Sequence, residues 1–354
     1  MKDITSVAID TSKNIFHIIG ANSIGKISFR KKVQREELRH QVRHLPSGCK
    51  VFFEATGGSH YWASEFRSIG VKPYIIPAQT VKPHLLKQKN DYNDCEAILR
   101  AGAHPETAFV PPKTKEQLSV QALIRVRHLA IKQRTALSNQ IRGILTEHGI
   151  VVAKGIARLK TLIVSGKVFE GADFVLKLTI DSLWRQMQCL TEEIKTHERL
   201  MRHIALSTSV TKRLMTIPGI GICTALTLFC SDGDIKRFKI GRNFSASLGL
   251  VPRQHSSGGV SRLGSITKKG DSYLRSLLVH GGRSVVRCTK GKHDPYNLWI
   301  QNLLVTHSVN ETAVAVANKN ARIAFRILTQ HEENLCFESQ KACGVTKISM
   351  SGNH

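Results

Sequence analysis

The 354-residue sequence has no apolar run of bilayer-spanning length; its longest apolar stretch is Ile222-Cys-Thr-Ala-Leu-Thr-Leu-Phe-Cys230, where a spanning helix needs about 20 residues. The opening Met-Lys-Asp-Ile-Thr lacks the basic-then-apolar layout of a secretion signal, so a cytoplasmic, soluble protein with no membrane partner is expected. No C-x-x-C pair occurs among the eight cysteines, at 49, 95, 189, 223, 230, 288, 336 and 343, which argues for reduced thiols over a disulfide framework or a zinc ribbon. Neither G-x-G-x-x-G nor G-x-x-x-x-G-K-[ST] is present, removing the usual dinucleotide and P-loop readings. Aromatic residues make up 6% of the chain, which disfavours a single-strand binder built on stacking platforms. No C2H2 or RNP-type pattern occurs. Acidic residues are also scarce, 26 against 52 lysines and arginines, for a net charge of +26. Such a chain repels itself unless a polyanion shares its volume, which points to nucleic acid as the partner.

What is present divides along the chain. The 41% hydrophobic content is ample for true cores in two or three domains. Residues 1–110 form the first domain. Three β-type runs, Ile4–Ile9, Ile15–Ile19 and Lys26–Arg30, precede a helical stretch at Glu36–Arg43. Then come Lys50–Phe53, a helix near Trp62–Ile69, Lys72–Ile76 and a helix over about Asn93–Ala103. Three consecutive strands predict an antiparallel meander and the later alternation predicts parallel crossovers, an α/β arrangement closer to the RNase H type than to a Rossmann sheet.

Pro105, Pro111 and Pro112 open a helical region over 111–207. Val126, Ala130, Leu137, Ile141 and Ile144 mark an apolar stripe, with Arg125, Lys132, Arg134 and Arg142 off it and Gly149 as a C-cap. Leu183, Met187, Leu190, Ile194, His197, Met201 and Ile204 keep an unbroken heptad. The period fits equally a hairpin within one chain and an intermolecular coiled-coil arm. A third, mainly α region, 208–330, concentrates positive charge: 15 basic residues between Lys212 and Lys292 against Asp232, Asp234 and Asp271. Residues 331–354 read as a loose polar tail.

Four carboxylates stand out. Asp10 and Glu54 end apolar strands, which holds them at a sheet rim. Asp91 and Asp94, three apart at a helix start, share one face with Cβ atoms roughly 5–6 Å apart. Singly, each is as well explained by helix capping or a surface position. Converged in so basic a chain, they need counter-charge, and two Mg2+ ions about 4 Å apart, with Mn2+ as an alternative, are the usual solution in phosphoryl transfer.

The blocks Val7-Ala-Ile-Asp10-Thr-Ser-Lys13-Asn-Ile-Phe16, Phe53-Glu54-Ala-Thr-Gly57-Gly58 and Lys89-Asn-Asp91-Tyr-Asn-Asp94 resemble the signature of the DEDD transposases of the insertion-sequence-110 family, relatives of the pilin-gene invertases. The resemblance continues through Ile217-Pro-Gly219-Ile-Gly221, Leu248-Gly-Leu-Val-Pro252, Ser256-Ser257-Gly258-Gly259, Gly264-Ser-Ile-Thr-Lys268-Lys-Gly270 and Ala317-Asn318-Lys319-Asn320-Ala321-Arg322, covering roughly residues 5 to 328. It implies a RuvC-like, RNase H-fold domain, a coiled-coil insertion and a C-terminal transposase domain whose serine attacks DNA. By the same resemblance Asp10, Glu54, Asp91 and Asp94 hold the metal. Ser257 is the nucleophile with Ser256 as its rival, and a noncoding bridge RNA, where the family uses one, pairs with donor and target DNA in a dimeric or tetrameric complex.

Read locally, Ser256-Ser-Gly-Gly259 is a flexible turn, and His255 is the one base beside the serines. Ile217-Pro-Gly-Ile-Gly221 fits a helix-hairpin-helix turn, with Gly219 and Gly221 admitting a phosphate, or a plain helix–helix connection. Lys13, Arg253, Arg262, Lys268, Lys269 and Arg275 are expected to contact phosphates. Asn318, Lys319 and Arg322 sit within one helical turn, as a backbone grip or as a solvated face. The competing functions are a junction-resolving endonuclease that activates water with the same acids, and a non-catalytic nucleic-acid-binding protein.

Overall fold

The computed structural model describes residues 3–86, 88, 90–170, 173–231, 238–254 and 262–342, with side chains left out at 167 and from 330 onward. Two compact units divide the chain, the first ending at Lys115 and the second beginning at Glu116.

In the first unit β1 (Ile4–Asp10), β2 (Ile15–Asn22) and β3 (Ile27–Gln34) form an antiparallel meander. The β2–β3 turn needs no tertiary help: Asn22 Oδ1 accepts from the N–H groups of Ile24 and Lys26, and Gly25 takes the positive φ of 80°. A capping box of Gln34 and Glu37 starts α1 (Arg35–Arg43). β4 (Lys50–Glu54), α2 (Ser59–Ser68) and β5 (Lys72–Ile76) follow, and both β1/β4 and β4/β5 are parallel, giving the order β3-β2-β1-β4-β5. The short α3 (Ala78–Val81) and a 3-10 turn lead to α4 (Asp91–Ala103). This mixed sheet is the one expected from the strand pattern and fits the RuvC-like arrangement.

The two-residue strand period sorts the core into two layers. Val7, Ile9, Val51 and Phe53 pack with Leu38 and Val42 of α1 and with Trp62 and Phe66 of α2. Ala8, Ile19, Ala21, Phe52 and Ile76 pack with Cys95, Ala97, Ile98 and Ala101 of α4 on the other side. Fully burying one such large apolar side chain contributes about 1.5–3 kcal/mol. α4 lies so close that a Cβ at Gly102 would stand 2.4 Å from the Phe52 ring.

The second unit opens with α5 (Lys115–Glu147), α6 (Ile156–Val164), a 3-10 turn and α7 (Phe174–Ser207). α5 ends as its sequence dictates. Gly149 has φ 78°, and the N–H groups of Gly149 and Ile150 bond back to the carbonyls of Thr146 and Leu145. α5 and α7 share two apolar clusters, one with Ile141, Leu145, Trp184 and Met187 and one with Val120, Ile124, Met201 and Ala205. Arg127 Nε also meets Glu198 Oε1 at 3.1 Å. Of the expected α5 stripe, Ala130 and Ile141 are buried and Leu137 and Ile144 pack against the core, whereas Val126 is 49% exposed; Val120, Ile124 and Leu145 extend the buried face. α6, α7 and a further helix cover α5 at different points along its length.

That further helix, α9, follows α8; the rest are α8 (Ser209–Leu214), α9 (Ile222–Ser231), α10 (Gly241–Ser247), the strand pair β6 (Pro252–Gln254) and β7 (Leu263–Ile266), α11 (Ser272–Arg287), α12 (Pro295–Thr306) and α13 (Val309–Ala342). α11 and α13 cross where side chains are absent, since a Cβ at Gly282 would lie 2.4 Å from Ala313 O. The backbone of α13 stays helical to Ala342, past the boundary at 330 where a loose tail was expected. Residues 331–342, His-Glu-Glu-Asn-Leu-Cys-Phe-Glu-Ser-Gln-Lys-Ala, contain neither proline nor glycine, so nothing in them stops a helix already under way.

Candidate metal centre and nucleic-acid interface

Strand register assembles the acidic end of the first sheet. Asp10 is the Cα partner of His17 across β1 and β2. Ile9 pairs with Phe53 across β1 and β4, so Asp10 and Glu54 are the next residues on neighbouring parallel strands. Alternation then places Asp10, His17 and Glu54 on the face that carries Ala8, Ile19 and Phe52, the face α4 covers. α4 begins there, because Asn90 caps it by accepting from Asn93 N–H at 2.8 Å. Asp91 and Asp94 fall in its first turn, where carboxylates also suit the positive end of the helix dipole.

Asp10, His17 and Asp91 each offer a ligand atom within 4.8 Å of the others, and His17 Nδ1 stands 3.5 Å from Asp91 Oδ2. Glu54 and Asp94 lie outside that trio, Glu54 one strand over and Asp94 one helical turn on. Burial pushes the Cys95 thiol far up; a hydrogen bond with the Asp10 backbone works against this, and the negative charges of Asp10, Asp94 and Asp91 add smaller upward contributions. That thiol donates to His17 O at 3.1 Å, tying α4 to β2. The loops after β1 and β4 are joined by Thr11 and Thr56, whose hydroxyls are 2.6 Å apart. Lys13 is exposed in the β1–β2 turn beside this end of the sheet, its carbonyl accepting from Arg35 Nη1 at 3.2 Å.

Two carboxylates and an imidazole make a donor set suited to a divalent cation. Sequence reasoning missed His17, and the signal that finds it is the hairpin register with Asp10. It missed equally the clamp under α4, where the nearly buried Glu96 carboxylate pairs with Arg30 at 2.8 Å and Arg100 at 2.7 Å.

In the second unit Ser256, Ser257 and His255 lie outside the described residues, between β6 and β7. Arg253, Arg262, Lys268 and Lys269 flank that segment and are exposed. Arg275 Nη1 donates to the carbonyls of Lys269, at 2.7 Å, and Leu248, bracing the turn before α11. Gly219 adopts φ 87° and backs onto α11, where its Cβ would be 2.8 Å from Gly281 O, whereas a Cβ at Gly221 would meet open space. Close helix packing therefore accounts for Gly219, and Gly221 is the open position of the pair. The Asn318 amide is spent on Leu250 O at 3.0 Å, so of the Asn318, Lys319 and Arg322 group the two cations face outward. Lys319 Nζ sits 3.8 Å from the Trp299 ring centroid. With Lys239, Arg242, Arg322 and Arg326 it lines a groove of about 720 Å3 that has no acidic side chain in its wall among the described residues.

Comparison with known proteins bears on both units. Residues 7–150 match the profile of the DEDD transposases of IS110, and residues 211–297 match that of the transposase IS116/IS110/IS902 family. The chain is 38% identical over 340 residues to the transposase for insertion sequence element IS1111A of Coxiella burnetii, covering 95% of this chain and 93% of that protein. It is 39% identical over 331 residues to a probable family 20 transposase of Pseudomonas aeruginosa, covering 93% and 98%. The pilin gene-inverting protein of Moraxella bovis is 24% identical over 348 residues, with 92% and 96% covered.

Proposed function

The chain belongs to the IS110 family of transposases, enzymes that cleave and rejoin DNA, and from that premise we propose a two-step exchange through a serine–DNA link. Ser257 Oγ attacks the scissile phosphorus, its proton passes to a base, and the bond to the departing sugar oxygen breaks as that oxygen is protonated. A sugar hydroxyl of the second DNA then attacks the phosphoserine and releases the serine. One phosphodiester is broken and one made, so no nucleotide hydrolysis is needed, in keeping with the absence of a P-loop.

Asp10, Glu54, Asp91 and Asp94 would hold Mg2+, in one or two ions. Bound there, a divalent ion supplies Lewis-acid polarisation of the phosphate and neutralises its charge. The protein's own part is placement. The β1–β4 ladder fixes Asp10 beside Glu54, the Asn90 cap fixes Asp91, and Arg253, Arg262, Lys268 and Lys269 hold backbone phosphates around the serine loop. Sequence choice is assigned to a bridge RNA that pairs with donor and target DNA in a dimer or tetramer of this protein. The low aromatic content and the lack of a recognisable base-reading module favour that division of labour.

The observation that carries this reading is the meeting of Asp10, His17 and Asp91 at the end of the sheet. Ser257→Ala tests it: the covalent protein–DNA adduct is lost while gel-shift affinity for DNA stays at the wild-type level. An adduct that persists in Ser257→Ala and vanishes in Ser256→Ala moves the role to the neighbour. Nicking without any adduct in the wild type replaces the mechanism with a water-activating endonuclease.

A further inference from the structure

We infer that His17 supplies a nitrogen ligand to the metal centre and thereby makes the site prefer Mn2+ to Mg2+; the inference rests on the acidic cluster's being that centre.

The imidazole is placed as firmly as the acids. His17 is 9% exposed and sits mid-ladder, with Asp10 as its Cα partner on β1 and Lys32 as its partner on β3. Its carbonyl holds the Cys95 thiol of α4, and its ring stands edge-on to Tyr92, centroids 5.0 Å apart and planes at 78°. The ladders and the Cys95 bond fix the backbone of His17, and Tyr92 of α4 packs against the ring itself.

The spacing suits shared ligation. Nδ1 is 3.5 Å from Asp91 Oδ2, longer than a good N–H···O hydrogen bond. It falls in the range of about 3–4 Å that separates two atoms each about 2.1 Å from one ion. Nδ1 would be the nitrogen donor there, while the two carboxylates supply the charge.

Nitrogen in the donor set changes which ion is favoured. Mg2+ is hard, holds its waters and selects oxygen ligands, so an imidazole adds little to its binding. A first-row transition ion gains from the nitrogen, and Mn2+ combines that gain with the oxygen affinity and octahedral habit of Mg2+. Placing the imidazole on a strand instead of a loop makes the preference a property of the fold.

Titration calorimetry on the full-length protein with MnCl2 and MgCl2, together with pulsed electron paramagnetic resonance of the Mn2+ form, tests this. Wild type binds Mn2+ at least about tenfold more tightly than Mg2+ and shows nitrogen coupling to the ion. His17→Asn removes that gap by weakening Mn2+ and erases the coupling, while its far-ultraviolet circular dichroism remains that of wild type. His17→Gln serves if the asparagine variant does not fold. Retention of both the gap and the coupling in a folded variant overturns the inference, and so does wild-type protein whose Mn2+ shows no nitrogen coupling. Asp10→Asn separates the two levels: if it binds both ions as wild type does, the acidic cluster is not the metal site, whatever His17 does.

Discussion

The acidic end of the first unit and the basic groove of the second hold charge in opposite ways. Asp10, His17, Glu54 and Asp91 come from three strands and a helix, and each is positioned by backbone: a ladder on either side or a capped helix start. Lys239, Arg242, Lys319, Arg322 and Arg326 come from α10, α13 and the approach to α10, and lie along a groove open to solvent. The first arrangement sets its members by backbone, as a ligand set would require, whose atoms must agree to within a fraction of an ångström. The second sums several cations along one surface, whose effects on polyanion binding are nearly additive. On the function proposed above, the difference is the one expected between groups that would take part in the chemistry and groups that would hold the substrate.

Substitutions in the two regions should therefore fail differently. The largest effect is expected at the acids: Glu54→Gln lowers recombination by about a thousandfold or more while DNA affinity is unchanged, measured in a plasmid recombination assay beside a gel shift. A loss of under tenfold would take Glu54 out of the catalytic set. Next comes the glycine pair. Gly219→Ala meets both a positive φ and the Gly281 backbone and destabilises the protein by about 2–3 kcal/mol in denaturant titrations. Gly221→Ala, in open space, leaves stability unchanged and weakens DNA binding where the amide approaches a phosphate. Equal destabilisation by both would leave no separate role for Gly221. The smallest and most graded effect belongs to the groove. Replacing Lys319, Arg322 and Arg326 together by Gln lowers the slope of log affinity against log salt by up to about 0.9 per cation and leaves the chemical step intact. An all-or-none loss there would erase the contrast between the regions.

The sequence disclosed the sheet because its information is local. Alternating apolar runs bounded by turn residues define β1 to β5, and three strands without an intervening helix force a meander. Asp10 and Glu54 were legible as strand ends, and Asp91 and Asp94 as a helix start. His17 was not, since it reads as one polar residue in an apolar strand until pairing is known, and pairing depends on the four-residue turn between Asp10 and Ile15. The α5 stripe was legible at Ala130, Leu137, Ile141 and Ile144 and failed at Val126 alone, because apolar spacing gives the period while the neighbours decide which positions at its edge are covered. Arg275 reads as another phosphate contact, and nothing in its own sequence surroundings shows that its Nη1 also braces two backbone carbonyls. Family resemblance points to Ser257 without locating it, for the segment that bears it is outside the described residues.

One consequence follows from the length of α5. Its 33 residues, at a rise of about 1.5 Å each, make a rod of roughly 50 Å, stiffened along its side by the 34 residues of α7. A turn of duplex DNA measures about 34 Å, so the rod exceeds one full turn. Over that span the paired helices hold their two ends at a set separation, which a flexible tether of the same number of residues would leave blurred.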